Sequence, residues 1–269
     1  MSIITISRDS YSHGEEIAEK VAEKLGFECI GPEIIQHACD SLDFPFSKIK
    51  KALHDSPTFL EHIAAKKEKC IALFRAVFFE YMRHDNIVYH GLAGHIFLAD
   101  VPNVVKVRVI ADFDDRIREE MHRENLTYAD AKKKLVQEDK ERTRWTKYLY
   151  GKNNHDPRLY DLYLNLHNIS LDAAVEIIVG MTRVSTNGHV ELMKEKLKDM
   201  ALAAKTESRL LEVFPEVEAV ARNGVVFVRV QGSILQEKLI SEKARKVMAE
   251  IDGVKAVRIG VAPSIYVPF

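Results

Sequence analysis

The chain has 269 residues, with 39 basic and 40 acidic side chains and a formal net charge of -1 at pH 7. This balance argues against a polyelectrolyte for nucleic acid, and a hydrophobic fraction of 46% argues against wholesale disorder. No apolar run approaches the ~20 residues that cross a bilayer, and residues 1–7 contain neither a basic segment nor an apolar stretch long enough for a secretory signal. Three cysteines without a CxxC spacing do not favour a zinc site or a disulfide framework. We therefore predict a cytoplasmic protein with reduced thiols.

Residues 1–183 alternate between short apolar runs and segments with helical spacing. A β-branched strand at 2–7 leads through a polar turn to a helix with Ile17, Val21 and Leu25 on one face and Gly26 as its C-cap. Asp112 and Thr127 are suitable N-caps for two later helices. Further strands are predicted at 27–30, 86–90, 104–111 and 160–166, and further helices at 60–81 and 171–181. This order predicts an α/β domain with a parallel sheet.

The pattern changes at a predicted linker, residues 184–189. Beyond it, Asn223-Gly224 separates two alternating apolar runs, which indicates a β-hairpin. The predicted order is a helix at 189–213, strands at 217–221 and 225–230, a helix at 235–251 and a strand at 254–261. Residues 190–269 are thus predicted to form a small α+β domain of α-β-β-α-β order.

The turn after the first strand lies where P-loop proteins bind phosphate. The candidate cofactor-binding residues are Ser7, Arg8, Asp9, Ser10, Tyr11, Ser12, His13 and Gly14. A strand that enters a helix through such a turn directs free N–H groups at one point, which favours an anion. The turn departs from GxxxxGK[ST], because serines occupy the glycine positions and His13 the lysine position. The alternative is an ordinary capping box from Ser12 to Glu15, which the spacing alone favours.

The helix between Lys132 and Lys147 carries seven lysines and arginines and three acidic residues. Phosphoryl transfer favours arginine, whose guanidinium meets phosphate oxygens with paired donors. The densest part of this charge run lies between Asp139 and Arg144, and Arg116 follows the fourth strand. A solvated helix face is the alternative that composition favours. Nucleic-acid binding is not expected, because the segment lacks an aromatic platform, and His90 and His95 lack further ligands for a metal.

Taken together, residues 1–182 resemble the cytidylate-kinase-like family of nucleoside monophosphate kinases. The resemblance rests on the order and spacing of several segments: Ile4-Thr5-Ile6-Ser7-Arg8, Gly14-Glu15-Glu16-Ile17-Ala18, Asp139-Lys140-Glu141-Arg142, and residues 156–165.

The resemblance implies a P-loop-kinase-like sheet of five parallel strands wrapped by helices. It also implies transfer of the ATP γ-phosphate to a nucleoside monophosphate, with Mg²⁺. Residues 7–14 would then wrap the ATP phosphates, and Arg142 and Arg144 would close over the transferring group. Asp139 would orient these two arginines, Arg116 would support them, and the segment 40–83 would cover the acceptor.

The chain departs from the family pattern at three places, one of which is Gly31, where the family usually has an acidic residue after the second strand. The family's phosphate loop is rich in glycine, whereas residues 10–13 are Ser-Tyr-Ser-His. An acceptor-side arginine follows the third strand in cytidylate kinases, whereas Leu92 and Ala93 follow Gly91 here. A nucleotide-binding sensor with impaired catalysis is therefore the alternative to an enzyme.

Residues 190–263 resemble a BON domain, through Arg222-Asn223-Gly224-Val225-Val226, the helix 235–251 and Gly253-Val254-Lys255-Ala256-Val257. BON domains are linked to binding phospholipid or other envelope components. A regulatory or dimerisation module is an equally good interpretation. The expected partners are thus nucleotide substrates, with a protein or phospholipid partner of this domain and a homodimer left open.

Overall fold

The computed structural model describes residues 2–10, 12–31, 64–84, 86–91, 93–185 and 189–263. These residues fall into two compact units. The first contains residues 2–31 and 84–190, and the second contains residues 64–83 and 191–263. In the described ranges, no helix is long and apolar enough to cross a membrane.

The first unit alternates strands and helices along the chain. The helix Ala64–Met82 is α2 in chain order and belongs to the second unit. The elements of the first unit are β1 (Ile3–Arg8), α1 (Gly14–Leu25), β2 (Glu28–Ile30), β3 (Ile87–His90), α3 (Gly94–Phe97), β4 (Val104–Ile110), α4 (Phe113–Glu124), α5 (Tyr128–Tyr150), β5 (Leu162–Asn165) and α6 (Leu171–Ser185). A short 3₁₀ helix, Pro157–Leu159, precedes β5.

The sheet of the first unit has five parallel strands in the order β2-β3-β1-β4-β5. The predicted fold class is thereby confirmed. β1 is the central strand, and Ile4 and Ile6 lie fully or almost fully buried on its inner face. They pack with Val107 of β4, Val21 of α1 and Ile178 of α6 in one apolar cluster. This arrangement places the end of β1 and the start of α1 at the carboxyl edge of the sheet, where ligands of such folds bind.

The helix ends agree with the local signals of the sequence. Gly26 ends α1 in the left-handed conformation, with φ of 66°. The Asp112 side chain accepts a hydrogen bond from the Asp114 N–H at the start of α4, and Thr127 does the same for the Asp130 N–H at the start of α5. These three predicted caps are confirmed.

The second unit contains α2 (Ala64–Met82), α7 (Val190–Leu210), β6 (Val217–Arg222), β7 (Val225–Gln231), α8 (Glu237–Met248) and β8 (Ala256–Ala262). Its sheet has the order β6-β7-β8, with β6 antiparallel and β8 parallel to β7. The predicted hairpin is present: Asn223 and Gly224 have φ of 53° and 81°, as a type I′ turn requires. The α-β-β-α-β order from residue 190 onward is therefore observed.

The helix α2 belongs to the second unit, although we expected residues 1–183 to form one domain. Ala72 lies in the apolar cluster that also holds Leu210 of α7 and Val228 of β7. The Arg75 guanidinium donates hydrogen bonds to both carboxylate oxygens of Glu207, at 3.0 and 3.3 Å. These contacts link α2 to the C-terminal part of the chain. The larger part of the predicted acceptor cover, residues 40–63, lies outside the described residues.

Candidate phosphate-binding site

The start of α1 follows the central strand after a loop of five residues, Asp9 to His13. The first N–H to bond within the helix is that of Ile17, which donates to the His13 carbonyl at 3.0 Å. The N–H groups of the preceding turn therefore lie ahead of the helical hydrogen bonds, where an anion can accept from them. Gly14 is needed at this point, because a Cβ there would lie 2.8 Å from both Cβ and Cδ of Arg8.

The predicted capping box from Ser12 to Glu15 is wrong. The N-cap residue is His13, in the left-handed conformation with φ of 53° and no side-chain capping bond. Ser12 is buried, and its Oγ donates to the carbonyls of Asp9 and Val109, at 3.0 and 3.2 Å. Glu15 accepts a hydrogen bond from Arg8 at 3.1 Å. Tertiary contacts thus engage both side chains, and the helix start stays open.

A buried arginine lies beneath the loop. Arg108 of β4 is in register with Ser7 of β1, and its side chain has no exposed surface. Its Nη1 donates to Ser7 Oγ at 2.9 Å, and its Nη2 donates to the carboxylate of Asp9. Sequence analysis missed this residue. The available signal was a basic residue inside a strand whose other members, apart from Lys106, are apolar.

Arg116 of α4 reaches the loop from a second direction. Its Nε donates to the Ser10 carbonyl at 2.7 Å, and its Nη1 lies 3.8 Å from an Asp9 carboxylate oxygen. Its Nη2 donates to both carboxylate oxygens of Asp139, at 2.8 and 2.9 Å. Asp139, which we expected to orient Arg142 and Arg144, is therefore engaged by Arg116. Two of the predicted site residues, Asp139 and Arg116, thus pair with each other beside the loop.

Arg142 reaches the loop from α5, whereas Arg144 does not. Arg142 Nη2 donates to Ser10 Oγ at 3.4 Å. Burial, and then the nearby charges of Arg8 and Arg108, lower the pKa of Arg142 from its ordinary value. Arg144 is exposed. Two positions along a helix turn a side chain by about 200°, so residues i and i+2 do not face the same target.

A second polar cluster lies beside Arg108 and was also missed. The Tyr160 hydroxyl lies 3.2 Å from His95 Nε2 and 3.4 Å from Ser7 Oγ, and it donates to the Asn154 carbonyl at 2.8 Å. The rings of His95 and Tyr160 stack, with their centroids 4.8 Å apart. Burial and the charge of Arg108 lower the pKa of His95 to about 3, so this imidazole is neutral at physiological pH. The cluster closes the site on the side of β5.

The residues around the loop suit a polyphosphate better than a bound metal. Arg108, Arg116 and Arg142 arrive from three different elements, and the carboxylates that pair with them among the described side chains are those of Asp9 and Asp139. Among the side chains that the structure describes, no partner contacts the buried Nε of Arg108 or of Arg142. Within the described ranges, no group of three His, Cys, Asp or Glu side chains could hold a metal ion. Tyr11, a predicted member of the site, lies outside the described residues.

One alignment with a solved structure supports the fold, and two further alignments are weaker. An uncharacterized protein from Eubacterium ventriosum aligns with a TM-score of 0.53 at 20% identity, over 68% of this chain and 99% of that one. TT1252 from Thermus thermophilus aligns with a TM-score of 0.45 at 13% identity, over 70% and 98%. Shikimate kinase from Bacteroides thetaiotaomicron aligns with a TM-score of 0.43 at 10% identity, over 68% and 98%.

The sequence comparison is more specific than the structural one. No curated protein has significant sequence similarity to the chain. The profile of the cytidylate kinase-like family matches residues 3–168, which run from β1 to just beyond β5. The five-stranded parallel sheet with its helices resembles the fold of P-loop kinases. Because the match extends over more than half of the sequence and includes the whole of this sheet, the chain belongs to the cytidylate kinase-like family.

Proposed function

We propose that the protein transfers the γ-phosphoryl group of ATP to a nucleoside monophosphate. The observation that carries this proposal is the convergence of Arg116 and Arg142 on Ser10 of the loop at the start of α1. Phosphoryl transfer relies on positioning and charge stabilisation rather than on covalent chemistry, so arginines fixed at a helix N-terminus are the groups it needs. Membership of a kinase-like family supports nucleotide-dependent phosphotransfer in general.

Each side chain has a distinct role in this proposal. The loop N–H groups and the turn before Ile17 bind the β- and γ-phosphates. Arg142 places its guanidinium against the equatorial oxygens of the transferring group, where negative charge is spread in the transition state. Arg116 keeps the loop in place through the Ser10 carbonyl, and Asp139 fixes the orientation of Arg116. The phosphoryl group leaves the ADP oxygen and bonds to an oxygen of the acceptor phosphate.

The donor set also fits the Mg²⁺ that such a reaction uses. Mg²⁺ would supply charge neutralisation at the phosphates, and one or two protein carboxylates would suffice to hold it. The carboxylates nearest to the loop are Asp9 and Asp139, and both are engaged by arginines. The residues that would hold the ion are these two carboxylates and the Ser10 hydroxyl.

The test is formation of ADP from ATP with Mg²⁺ and each nucleoside monophosphate in turn. We expect Arg142→Ala to lower kcat by roughly 10³-fold or more, the scale that one arginine at a transferring phosphate contributes. Arg144→Ala is the matched control, because it removes an arginine of the same helix that is exposed. A variant Arg142→Ala with the wild-type rate would remove Arg142 from the mechanism.

A nucleotide sensor is the second candidate, and one contact favours it. The Asp9 carboxylate of the loop is already paired with Arg108, and this negative charge stands beside the proposed phosphate position. Binding of ATP without turnover of any acceptor would support the sensor. Turnover that depends on Arg142 would support the enzyme.

For the second unit we keep the role that the sequence suggests, a BON-like module for a phospholipid or protein partner, or for self-association. Its α-β-β-α-β order is compatible with this role. Flotation of the whole protein with anionic and with zwitterionic vesicles tests the lipid partner, and sedimentation of the free protein tests the homodimer. Absence of both would leave a protein partner as the remaining candidate.

A further inference from the structure

We propose that Arg108 is a positioning residue of the phosphate-binding loop, and that its buried guanidinium supplies from the neighbouring strand the positive charge that P-loop proteins place on a lysine within the loop. This inference rests on the proposed binding of a nucleoside triphosphate at that loop. It adds a residue of β4 to a site that the sequence had confined to the loop, α4 and α5. It also gives the loop a source of positive charge although position 13 is a histidine and not a lysine.

The position of Arg108 is fixed by the sheet. Parallel pairing of β1 with β4 sets Arg108 opposite Ser7, the last buried residue of β1. From there, one nitrogen of the guanidinium reaches Ser7 Oγ and another reaches the Asp9 carboxylate. Ser7 and Asp9 are the residues at which the strand becomes the loop. The planar guanidinium of Arg108 therefore fixes the positions of Ser7 and Asp9 relative to each other.

Stability alone gives little reason for an arginine at this point. Replacement of a buried ion pair by apolar residues of similar volume is often neutral or stabilising. Val107 and Val109, which flank Arg108 in β4 and face the opposite side of the sheet, are apolar and fully buried. An aliphatic residue at position 108 would complete a strand of the same kind. The charge is the property that an aliphatic residue lacks.

The charge of Arg108 acts on the surrounding site. Burial is the main cause that lowers the pKa of His95 and that of Arg142, and the charge of Arg108 adds to it, after the charge of Arg8 in the case of Arg142. Arg142 is the residue that donates to Ser10 Oγ in the loop. The field of Arg108 therefore extends to the place where the phosphates are proposed to bind. Because Arg108 has no exposed surface, it acts there through Asp9, Ser7 and its field, without touching the nucleotide.

The experiment compares binding of MgATP and of inorganic tripolyphosphate by calorimetry in the full-length protein. Arg108→Met removes the charge and fills similar space, and Arg108→Lys keeps the charge but loses the two-pronged contact. We expect Arg108→Met to weaken both ligands by about tenfold or more, the order for loss of one unit charge near a polyanion. Arg108→Lys should recover most of this loss. In turnover assays, KM for ATP should rise while KM for the acceptor stays unchanged, a split that a merely structural role would not produce.

A second pair of variants separates the cation from the carboxylate that Arg108→Met leaves unpaired. Asp9→Asn and the double variant Asp9→Asn/Arg108→Met both lack the carboxylate and differ only in Arg108. We expect the double variant to bind tripolyphosphate at least about tenfold more weakly than Asp9→Asn. This comparison also serves if Arg108→Met alone does not fold, because the double variant contains no unpaired buried charge. Arg118→Met is the control, an exposed arginine that pairs with Asp115 on α4.

The role of Arg108 would be overturned if Arg108→Met bound tripolyphosphate as tightly as wild type and the double variant bound it as tightly as Asp9→Asn. The proposed function would then still stand. Binding that depends on Arg108 without turnover of any acceptor would support the role of Arg108 and overturn the proposed kinase activity. A wild-type protein that binds neither ligand would overturn both.

Discussion

Arg108 and Lys106 occupy alternate positions of the same strand, and their different environments could not be read from the sequence. Lys106 extends towards Asp161, with Nζ 3.2 Å from the carboxylate, whereas Arg108 is enclosed beneath the loop. Alternation predicts that both face away from Val107, but it does not show what covers each position. The covering residues, His95 and Tyr160, come from segments distant in the chain. Arg116 and Arg142 could be identified from the sequence because arginine is the residue type that phosphoryl transfer favours.

The depressed pKa of His95 gives a pH dependence with a definite sign. In the folded state the imidazole stays neutral down to about pH 3, whereas in the unfolded chain it takes up a proton near pH 6.5. Between these values the unfolded state binds more protons, so the free energy of unfolding rises with pH and is lost as pH falls below about 6.5. One proton corresponds to a slope of at most about 1.4 kcal/mol per pH unit.

We expect His95→Gln to reduce this slope between pH 4 and pH 6 in urea unfolding experiments. His122→Gln is the control, because His122 is exposed and remains in water on folding. An unchanged slope in His95→Gln would show that another group takes up the proton.

At the scale of elements, local signals located the caps and long-range contacts changed one of them. Gly26, Asp112 and Thr127 act within one turn of their own helices, and the sequence placed each correctly. Ser12 had the same local signal, but its hydroxyl donates to the carbonyl of Val109, which is 97 residues away. The hairpin at Asn223-Gly224 was predictable for the same reason as the caps, since the turn type depends on two adjacent residues.

Two of the four glycines that have a positive φ in the described residues, Gly26 and Gly224, provide a matched test of the hairpin. A Cβ at Gly224 would lie 3.0 Å from the Lys255 side chain and 3.2 Å from the Gly253 carbonyl oxygen, whereas a Cβ at Gly26 meets nothing within 4 Å. Gly26→Ala should therefore lower stability by about 1–2 kcal/mol, the conformational cost alone. Gly224→Ala should lower it further, because the carbonyl of Gly253 must also move. Thermal unfolding of both variants measures the difference, and equal losses would contradict the contact.

At the scale of the whole molecule, the sequence predicted the parallel sheet of the first unit and the order of helices and strands from residue 190 onward, but not the contacts that α2 makes with that part of the chain. Strand and helix order follows from periodicity, which is local. The partner of a helix depends on which apolar surface its own face meets, and α2 has suitable apolar residues along much of its length. Its position in the chain, between β2 and β3, suggested the first unit. Ala72 and Arg75 instead contact residues that follow position 200.

The contact between Arg75 and Glu207 supports a prediction about this unit. The Glu207 side chain is only 14% exposed, and burial raises its pKa while Arg75 opposes the rise. Arg75→Met leaves this carboxylate without its cation, and we expect a loss of about 1–3 kcal/mol in the stability of the second unit. Faster hydrogen exchange of the α7 amides would report the loss. The control is Arg83→Met, which removes an exposed pair with Glu80 and should change stability by less than about 0.5 kcal/mol.

Membership of α2 in the second unit also sets an order for synthesis on the ribosome. Synthesis of α2 is complete at residue 82. The residues that complete its apolar cluster, such as Leu210 and Val228, are translated more than a hundred positions later. The nascent chain therefore carries α2 without its final neighbours while β3, β4 and β5 are being added. A message truncated after residue 190 would yield a product in which Ala72 and Arg75 never find their partners, and such a product would depend on chaperones to stay unaggregated.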